Sequence, residues 1–141
     1  MVSGLSHVTL SVSDLDRAFR FYNDVLGMRP VARWFKGAYF AAGDLWFCLN
    51  LESEFADRAT NPTYDHIAFS VSADDFEGLS ARLDEAGADR WHENRSEGDS
   101  IYFLDPDGHK LEIHVGDLKS RVVSLEEKPP RDLIVFGETD T

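Results

Sequence analysis

Three side chains stand out for the chemistry they could do together: His7, His66 and Glu112. His7 opens the run Ser6-His7-Val8-Thr9-Leu10-Ser11-Val12, whose alternation is that of a strand. His66 stands in the same place in a second run, Tyr64-Asp65-His66-Ile67-Ala68-Phe69-Ser70-Val71-Ser72. Glu112 is a carboxylate between apolar neighbours, Leu111 and Ile113. Strand geometry turns alternate side chains to one face, so Thr9 lies on the face of His7, and His114 on that of Glu112. Two imidazoles and one carboxylate from three strands make a divalent-metal site with positions left open for substrate. A lone strand histidine is usually structural; the equivalence of two of them in a repeat is what favours ligands. His114 is the weaker ligand candidate, and His92 and His109 read as surface residues.

A second chemical feature is the polar run Asn94-Arg95-Ser96-Glu97-Gly98-Asp99-Ser100, which leads directly into the strand-like Ile101-Tyr102-Phe103-Leu104. Hydroxyls and carbonyls in a loop of this kind can surround a monovalent cation or meet an anion, although most such loops are only solvated turns. Lys119 and Arg121 follow the last strand and can reach an anionic ligand. Their net surroundings are acidic, with 26 Asp and Glu against 14 Lys and Arg and a net charge of −12, so an anion would need such a local cluster. The same balance argues against nucleic acid and against anionic membranes.

The elements that must carry these residues form an internal repeat. After the His7 strand, Ser13-Asp14 offers a cap, and Leu15, Ala18, Phe19, Phe21, Tyr22, Val25 and Leu26 recur at helical spacing up to Gly27. Strands are expected over 29–35, 38–42 and 45–51. The second half repeats the order: the His66 strand, a helix capped by Asp74 with Phe76, Leu79, Leu83 and Ala86 on one face, a stop at Gly87, and strands over 88–93, 100–104 and 110–115. Asp105-Pro106-Asp107-Gly108 is a strong hairpin turn.

The chain of 141 residues therefore reads as βαβββ twice. The expected fold is α+β, with paired repeats whose curled mixed sheets surround a metal cleft. Residues 1–52 form the first module, 53–62 a linker, 63–117 the second module and 118–141 a charged C-terminal tail, in which the apolar Leu133 to Phe136 run could dock on a neighbour. Trp46 and Cys48 lie on the strand that matches the Glu112 strand, where no carboxylate stands, so one metal site per chain is expected. Trp46 either walls that site or fills the core. A single cysteine, Cys48, cannot form an internal disulfide and reads as a buried thiol, which with the lack of a leader-like segment points to the cytoplasm. No apolar stretch is long enough to span a bilayer.

Several of these segments resemble the fosfomycin-resistance glutathione transferases of the vicinal oxygen chelate (glyoxalase, bleomycin-resistance and dioxygenase) superfamily. They are Gly4-Leu5-Ser6-His7-Val8-Thr9-Leu10, Tyr64-x-His66-x-Ala68-Phe69, Asn94 to Ser100, and Tyr102-Phe103-Leu104-Asp105-Pro106-Asp107-Gly108-His109-Lys110-Leu111-Glu112 continuing to Arg121. The resemblance covers nearly the whole chain and implies addition of the glutathione thiol to the epoxide of fosfomycin. It implies Mn(II) held by His7, His66 and Glu112, and K+ held by the loop of Asn94, Ser96, Gly98 and Ser100. It further implies a homodimer in which the repeats are exchanged, so that His7 comes from one subunit and His66 with Glu112 from the other.

Thr9 would hydrogen-bond the epoxide oxygen or help position the thiol, Trp46 and Tyr64 would line the pocket, and Ser96, Ser100, Tyr102 and Arg121 would hold the phosphonate, making Thr9, Tyr102 and Arg121 the expected catalytic set. One departure stands out: Trp91-His92-Glu93-Asn94 places His92 where the family has a phosphonate-binding lysine. Rival readings are an epoxide hydrolase, for which the Gly37 to Gly43 segment lacks the added glutamate base, and a transferase using bacillithiol or cysteine. An extradiol dioxygenase would lack the phosphonate loop, and a drug-sequestering protein would leave the three ligands unexplained.

Overall fold

In the computed structural model, which describes residues 1–54 and 62–137, two four-stranded mixed sheets carry the repeat. The first module runs β1 (His7–Val12), α1 (Leu15–Arg20), β2 (Arg29–Trp34), β3 (Gly37–Ala42) and β4 (Leu45–Leu51). The second runs β5 (Ile67–Ser70), α2 (Ala73–Glu85), β6 (Arg90–His92), β7 (Ser100–Leu104) and β8 (Lys110–His114), followed by α3 (Leu118–Glu127). The sheet orders, β1-β4-β3-β2 and β5-β8-β7-β6, are the same topology twice. In each the first strand lies parallel to the last and the other pairs are antiparallel.

The α+β repeat is thus as expected, with local corrections. The first helix does not run evenly to Gly27: after Arg20 it widens into a π-turn over Phe21–Val25, closed by the Leu26 N–H donating to the Phe21 carbonyl at 3.0 Å. The cap of α2 is Ser72, whose hydroxyl accepts from the Asp75 N–H, and not Asp74; a serine just before the first helical residue places its oxygen where the free N–H groups point. The second module's first strand starts at Ile67, so His66 sits at its mouth. The tail, expected without an element, forms α3 behind a capping box of Asp117 and Ser120, a short-range signal passed over in a segment dominated by charge. Ile134 and Phe136 beyond it are exposed. The expected linker 53–62 lies largely outside the described residues.

Alternation does the sorting within the strands. Phe47 and Leu49 of β4, and Leu111 and Ile113 of β8, turn into a core shared with Phe40, Tyr22, Leu83 and Phe103. Cys48 is buried, as its apolar context foretold.

The hairpin between β7 and β8 joins the modules, and here His109 departs from expectation: it is buried, because its ring crosses to the first module. The Ser11 carbonyl can only accept, so His109 Nε2 donates to it, at 2.7 Å. Asp107 Oδ1 accepts from the N–H and hydroxyl of Ser13 and from Arg17. The Tyr22 hydroxyl donates to Asp105 Oδ2 at 2.6 Å, while Asp105 Oδ1 accepts from the N–H groups of Asp107 and His109. Burial pushes the Asp105 carboxyl above the usual carboxylate range, and burial together with Asp105 raises the Tyr22 phenol.

Tyr22→Phe strips one donor from a buried carboxylate. We expect a loss of about 1–3 kcal/mol in stability, read as a lower urea midpoint at unchanged slope.

Candidate metal centre and anion pocket

His66 and Glu112 meet directly. His66 Nδ1 lies 2.6 Å from the Tyr64 carbonyl, which can only accept, so that nitrogen carries the proton. Nε2 then faces Glu112 Oε1 at 2.9 Å, as a donor when the ring is protonated and as a lone pair when it is neutral. Two acceptors at this separation repel unless a proton or a cation lies between them. A backbone carbonyl fixing the far nitrogen of a histidine is also the usual support of a metal-binding imidazole. The donor set therefore fits a divalent ion. Glu112 is buried, and its other oxygen, Oε2, accepts from the Ser100 hydroxyl at 2.6 Å.

His7 lies elsewhere. It is exposed on β1, its ring 4.3 Å from that of Trp46 in the paired position on β4. Among the described residues of one chain, no group of three His, Cys, Asp or Glu side chains could hold a metal. The register explains why each module supplies a different number of candidate ligands. Thr9 pairs with Cys48 as Ala68 pairs with Glu112, so Cys48 occupies in the first module the position of the carboxylate in the second. Trp46 is 42% exposed and so walls this face instead of filling the core. Tyr39 and Trp34 extend the wall in an edge-on chain. Neither was singled out from the sequence, although strand alternation puts Tyr39 on the face opposite the buried Phe40.

Around His66 the second sheet assembles a further ring cluster. Tyr64 packs edge-on to His66, with ring centres 4.7 Å apart, and to His92 at 4.9 Å, while His92 lies 4.8 Å from Tyr102. His92 is exposed, as expected, yet faces this cluster. Tyr64 donates to the Tyr102 hydroxyl at 3.2 Å. That bond, then burial, pushes the Tyr64 phenol up to about 12; Glu112 acts in the same direction and Arg121 pulls against it. Tyr64 thus stays a hydrogen-bond donor at physiological pH, within the fields of both Glu112 and Arg121.

The 94–100 loop is organised by Asn94. Its carbonyl oxygen accepts from the N–H and hydroxyl of Ser96, and its amide donates to the Gly98 carbonyl at 2.8 Å. Gly98 takes a φ of +81°, and a Cβ there would stand 2.4 Å from the Val115 carbonyl, so only glycine fits. Arg121, projecting from the first turns of α3, reaches this loop. Its Nε donates to Glu97 Oε2 at 3.2 Å, and Nη2 donates to the Ser96 hydroxyl and the Glu97 carbonyl, each at 3.3 Å. Glu97 is a partner the sequence reading left unassigned. Lys119, by contrast, is not drawn into any of these contacts.

Residues 4–113 match the model of the Glyoxalase/Bleomycin resistance protein/Dioxygenase superfamily. The chain belongs to that superfamily. Within it, the chain is 49% identical over 141 residues to the glutathione transferase FosA of Serratia marcescens, covering 98% of this chain and 99% of the relative. It is 41% identical to the metallothiol transferase FosB of Shouchella clausii, covering 98% and 97%. Among solved structures it resembles the E126Q mutant of the fosfomycin resistance protein FosX from Listeria monocytogenes, a complex with Mn(II) and 1S,2S-dihydroxypropylphosphonic acid. The TM-score is 0.74 at 30% identity, covering 86% of this chain and 99% of that one. These likenesses place the chain among the fosfomycin-resistance proteins of the superfamily. None of the helices in the described residues is long and apolar enough to cross a membrane.

Proposed function

We propose that the protein is a cytoplasmic, divalent-metal-dependent thiol transferase that opens the epoxide of fosfomycin, with glutathione as the thiol. The observation that carries this reading is the His66–Glu112 pair, in which the Tyr64 carbonyl holds His66 Nδ1 and leaves Nε2 facing a buried carboxylate, beside phenols and an arginine suited to a phosphonate. The full ligand set is His7, His66 and Glu112, and its completion needs a second copy of the chain, because His7 stands apart from the other two within one. A homodimer with exchanged modules brings His7 of one subunit to the pair of the other.

When bound, the divalent ion, Mn(II) in this reading, acts as a Lewis acid toward the epoxide oxygen. The side chains do the rest. Arg121 and Tyr102 donate to the phosphonate, and Ser96 and Ser100 meet its charge through the cation of the loop they line. Tyr64 lines the pocket wall and by donating to Tyr102 leaves the Tyr102 proton for the ligand, and Trp46 closes the opposite side. Thr9, on the same strand face as His7, hydrogen-bonds the epoxide oxygen. The thiol loses its proton, its sulfur bonds to the epoxide carbon, the carbon–oxygen bond breaks, and the oxygen takes a proton. Alignment of sulfur with that bond is worth a large part of the barrier. The loop of Asn94, Ser96, Gly98 and Ser100 takes up K+, since the Gly98 carbonyl and the serine hydroxyls each retain a lone pair, and the cation offsets phosphonate charge.

Phosphorus NMR of fosfomycin tests the reading, first with metal-free protein and then with Mn(II), K+ and glutathione. An adduct signal that requires both metal and thiol is expected. A diol formed without thiol would assign a hydrolase instead, an adduct only with bacillithiol or cysteine would reassign the thiol, and an unchanged spectrum would overturn the substrate.

His92 faces Tyr64 and Tyr102, where a permanent ammonium would add charge to the anion pocket. We expect His92→Lys to lower the fosfomycin KM by a few-fold, on the order of 1 kcal/mol for one partly exposed charge contact. Steady-state kinetics checks this; unchanged KM would remove His92 from the pocket.

A further inference from the structure

His114 ranked low as a metal ligand, and its surroundings give it different work. The Ser100 hydroxyl has one proton and two lone pairs. That proton goes to Glu112 Oε2, at 2.6 Å, because a carboxylate only accepts. His114 Nδ1 lies 2.6 Å from the same hydroxyl oxygen and must therefore donate to it. One lone pair of Ser100 remains, and Ser100 ends the 94–100 loop.

The imidazole that sets this arrangement sits in a slot built for it. Gly98 and Gly116, both at positive φ, flank the ring, and a Cβ on either would stand 2.9 Å from a ring atom. The Val115 N–H donates to the Asp99 carbonyl at 2.9 Å and ties the loop to the end of β8 beside the ring. Without His114 only the Glu112 carboxylate holds the rotor of the hydroxyl, and the direction of its remaining lone pair toward the loop is less tightly set.

We infer that His114 is a positioning residue that orients the Ser100 hydroxyl between the 94–100 loop and Glu112, so that a monovalent cation in the loop and a divalent metal at His66 and Glu112 bind cooperatively. The inference rests on the metal and cation assignments proposed above. A cation drawing on the last Ser100 lone pair reinforces the proton's direction toward Oε2, and leaves Oε1 facing His66. Coupling of this kind is reciprocal, so it can be read from the metal side alone.

The experiment is a Mn(II) titration of the chelator-stripped full-length protein, following free Mn(II) by electron paramagnetic resonance, in K+ buffer and in tetramethylammonium buffer. For the unaltered protein, Mn(II) binding is expected to be tighter in K+. His114→Leu should weaken Mn(II) binding by roughly tenfold to a hundredfold, as for loss of a group supporting a ligand, and abolish the difference between buffers. His114→Asn, whose side-chain amide can donate to Ser100 from nearly the same place as Nδ1, should recover most of both.

A K+ effect that survives in His114→Leu would overturn the inference, as would His114→Asn behaving like His114→Leu, since shape alone would then be responsible. Mn(II) binding in the unaltered protein that ignores K+ would sink the coupling while leaving the transferase reading intact. Coupling that follows His114 in a protein inert toward fosfomycin would do the reverse. Failure of the unaltered protein to bind Mn(II) would end both.

Discussion

Mixing a His7→Ala chain with a Glu112→Gln chain is expected to restore activity that neither variant has alone. His7 is exposed on β1 and makes no part of the core, so its removal leaves the fold intact. Glu112→Gln keeps an oxygen for the Ser100 hydroxyl, while the charge goes and an amide NH2 replaces the other oxygen. Each variant on its own lacks one of three ligands at every site, and its activity and Mn(II) affinity should fall by more than about a hundredfold, beyond what loss of an outer-shell partner costs. In a mixed dimer with exchanged modules, one site carries both defects. The other takes His7 from the Glu112→Gln chain and His66 with Glu112 from the His7→Ala chain, and is complete.

Random pairing makes about half the dimers mixed, each with one good site of two, so recovery should approach roughly a quarter of the unaltered activity. Differently tagged chains, co-expressed and purified on both tags, give the measurement its sharpest form: such dimers should hold one Mn(II) each. If every site were assembled within one chain, mixing would recover nothing, and the position of His7 away from the pair would need another purpose.

That separation also marks the limit of what the residue pattern could disclose. The repeat was legible because two different kinds of periodicity recur in the same order, and because glycine stops both helices at matching points. His66 and Glu112 were legible because a polar residue among strand-core neighbours has to face something. Ser100 and Arg121 came with the polar run and its nearby cation. What alternation cannot tell is which polar groups meet one another across elements. Glu97 holds Arg121, and His114 holds Ser100, through contacts decided by where α3 and the loop pack.

His109 shows the same gap from the other side. A histidine after a turn has the signature of a surface residue, and it is buried only because the carbonyl of Ser11, 98 positions away in the chain, needs a donor. The helix over 118–127 was hidden for a simpler reason: its apolar face is weak and none of its residues is buried, so only its capping box announces it.

Arg121→Ala should reduce kcat/KM for fosfomycin by roughly tenfold to a hundredfold, the size of a lost hydrogen bond between charged partners. The guanidinium is placed in three stages. Asp117 caps α3, accepting from the Ser120 N–H, which holds its carboxyl below the usual range. The Arg121 N–H bonds back to the Asp117 carbonyl, which sets the side chain's origin in the first turn. Glu97 and Ser96 then take up Nε and Nη2; among the described residues nothing takes up Nη1, and that edge is left for a ligand. A group so restrained loses little further freedom on binding, and most of its interaction energy reaches the bound anion.

If the phosphonate contact is equally strong before and during ring opening, the loss falls on KM, and kcat holds. Arg121→Lys should recover little, because one ammonium cannot keep Glu97 and Ser96 in place and still present a flat pair of donors to a phosphonate. Steady-state kinetics on the two variants, with their melting temperatures as a control, decides the matter. Full activity in Arg121→Lys would mean that the site needs only a positive charge at this place, and that the contacts fixing the guanidinium to the loop serve the fold alone.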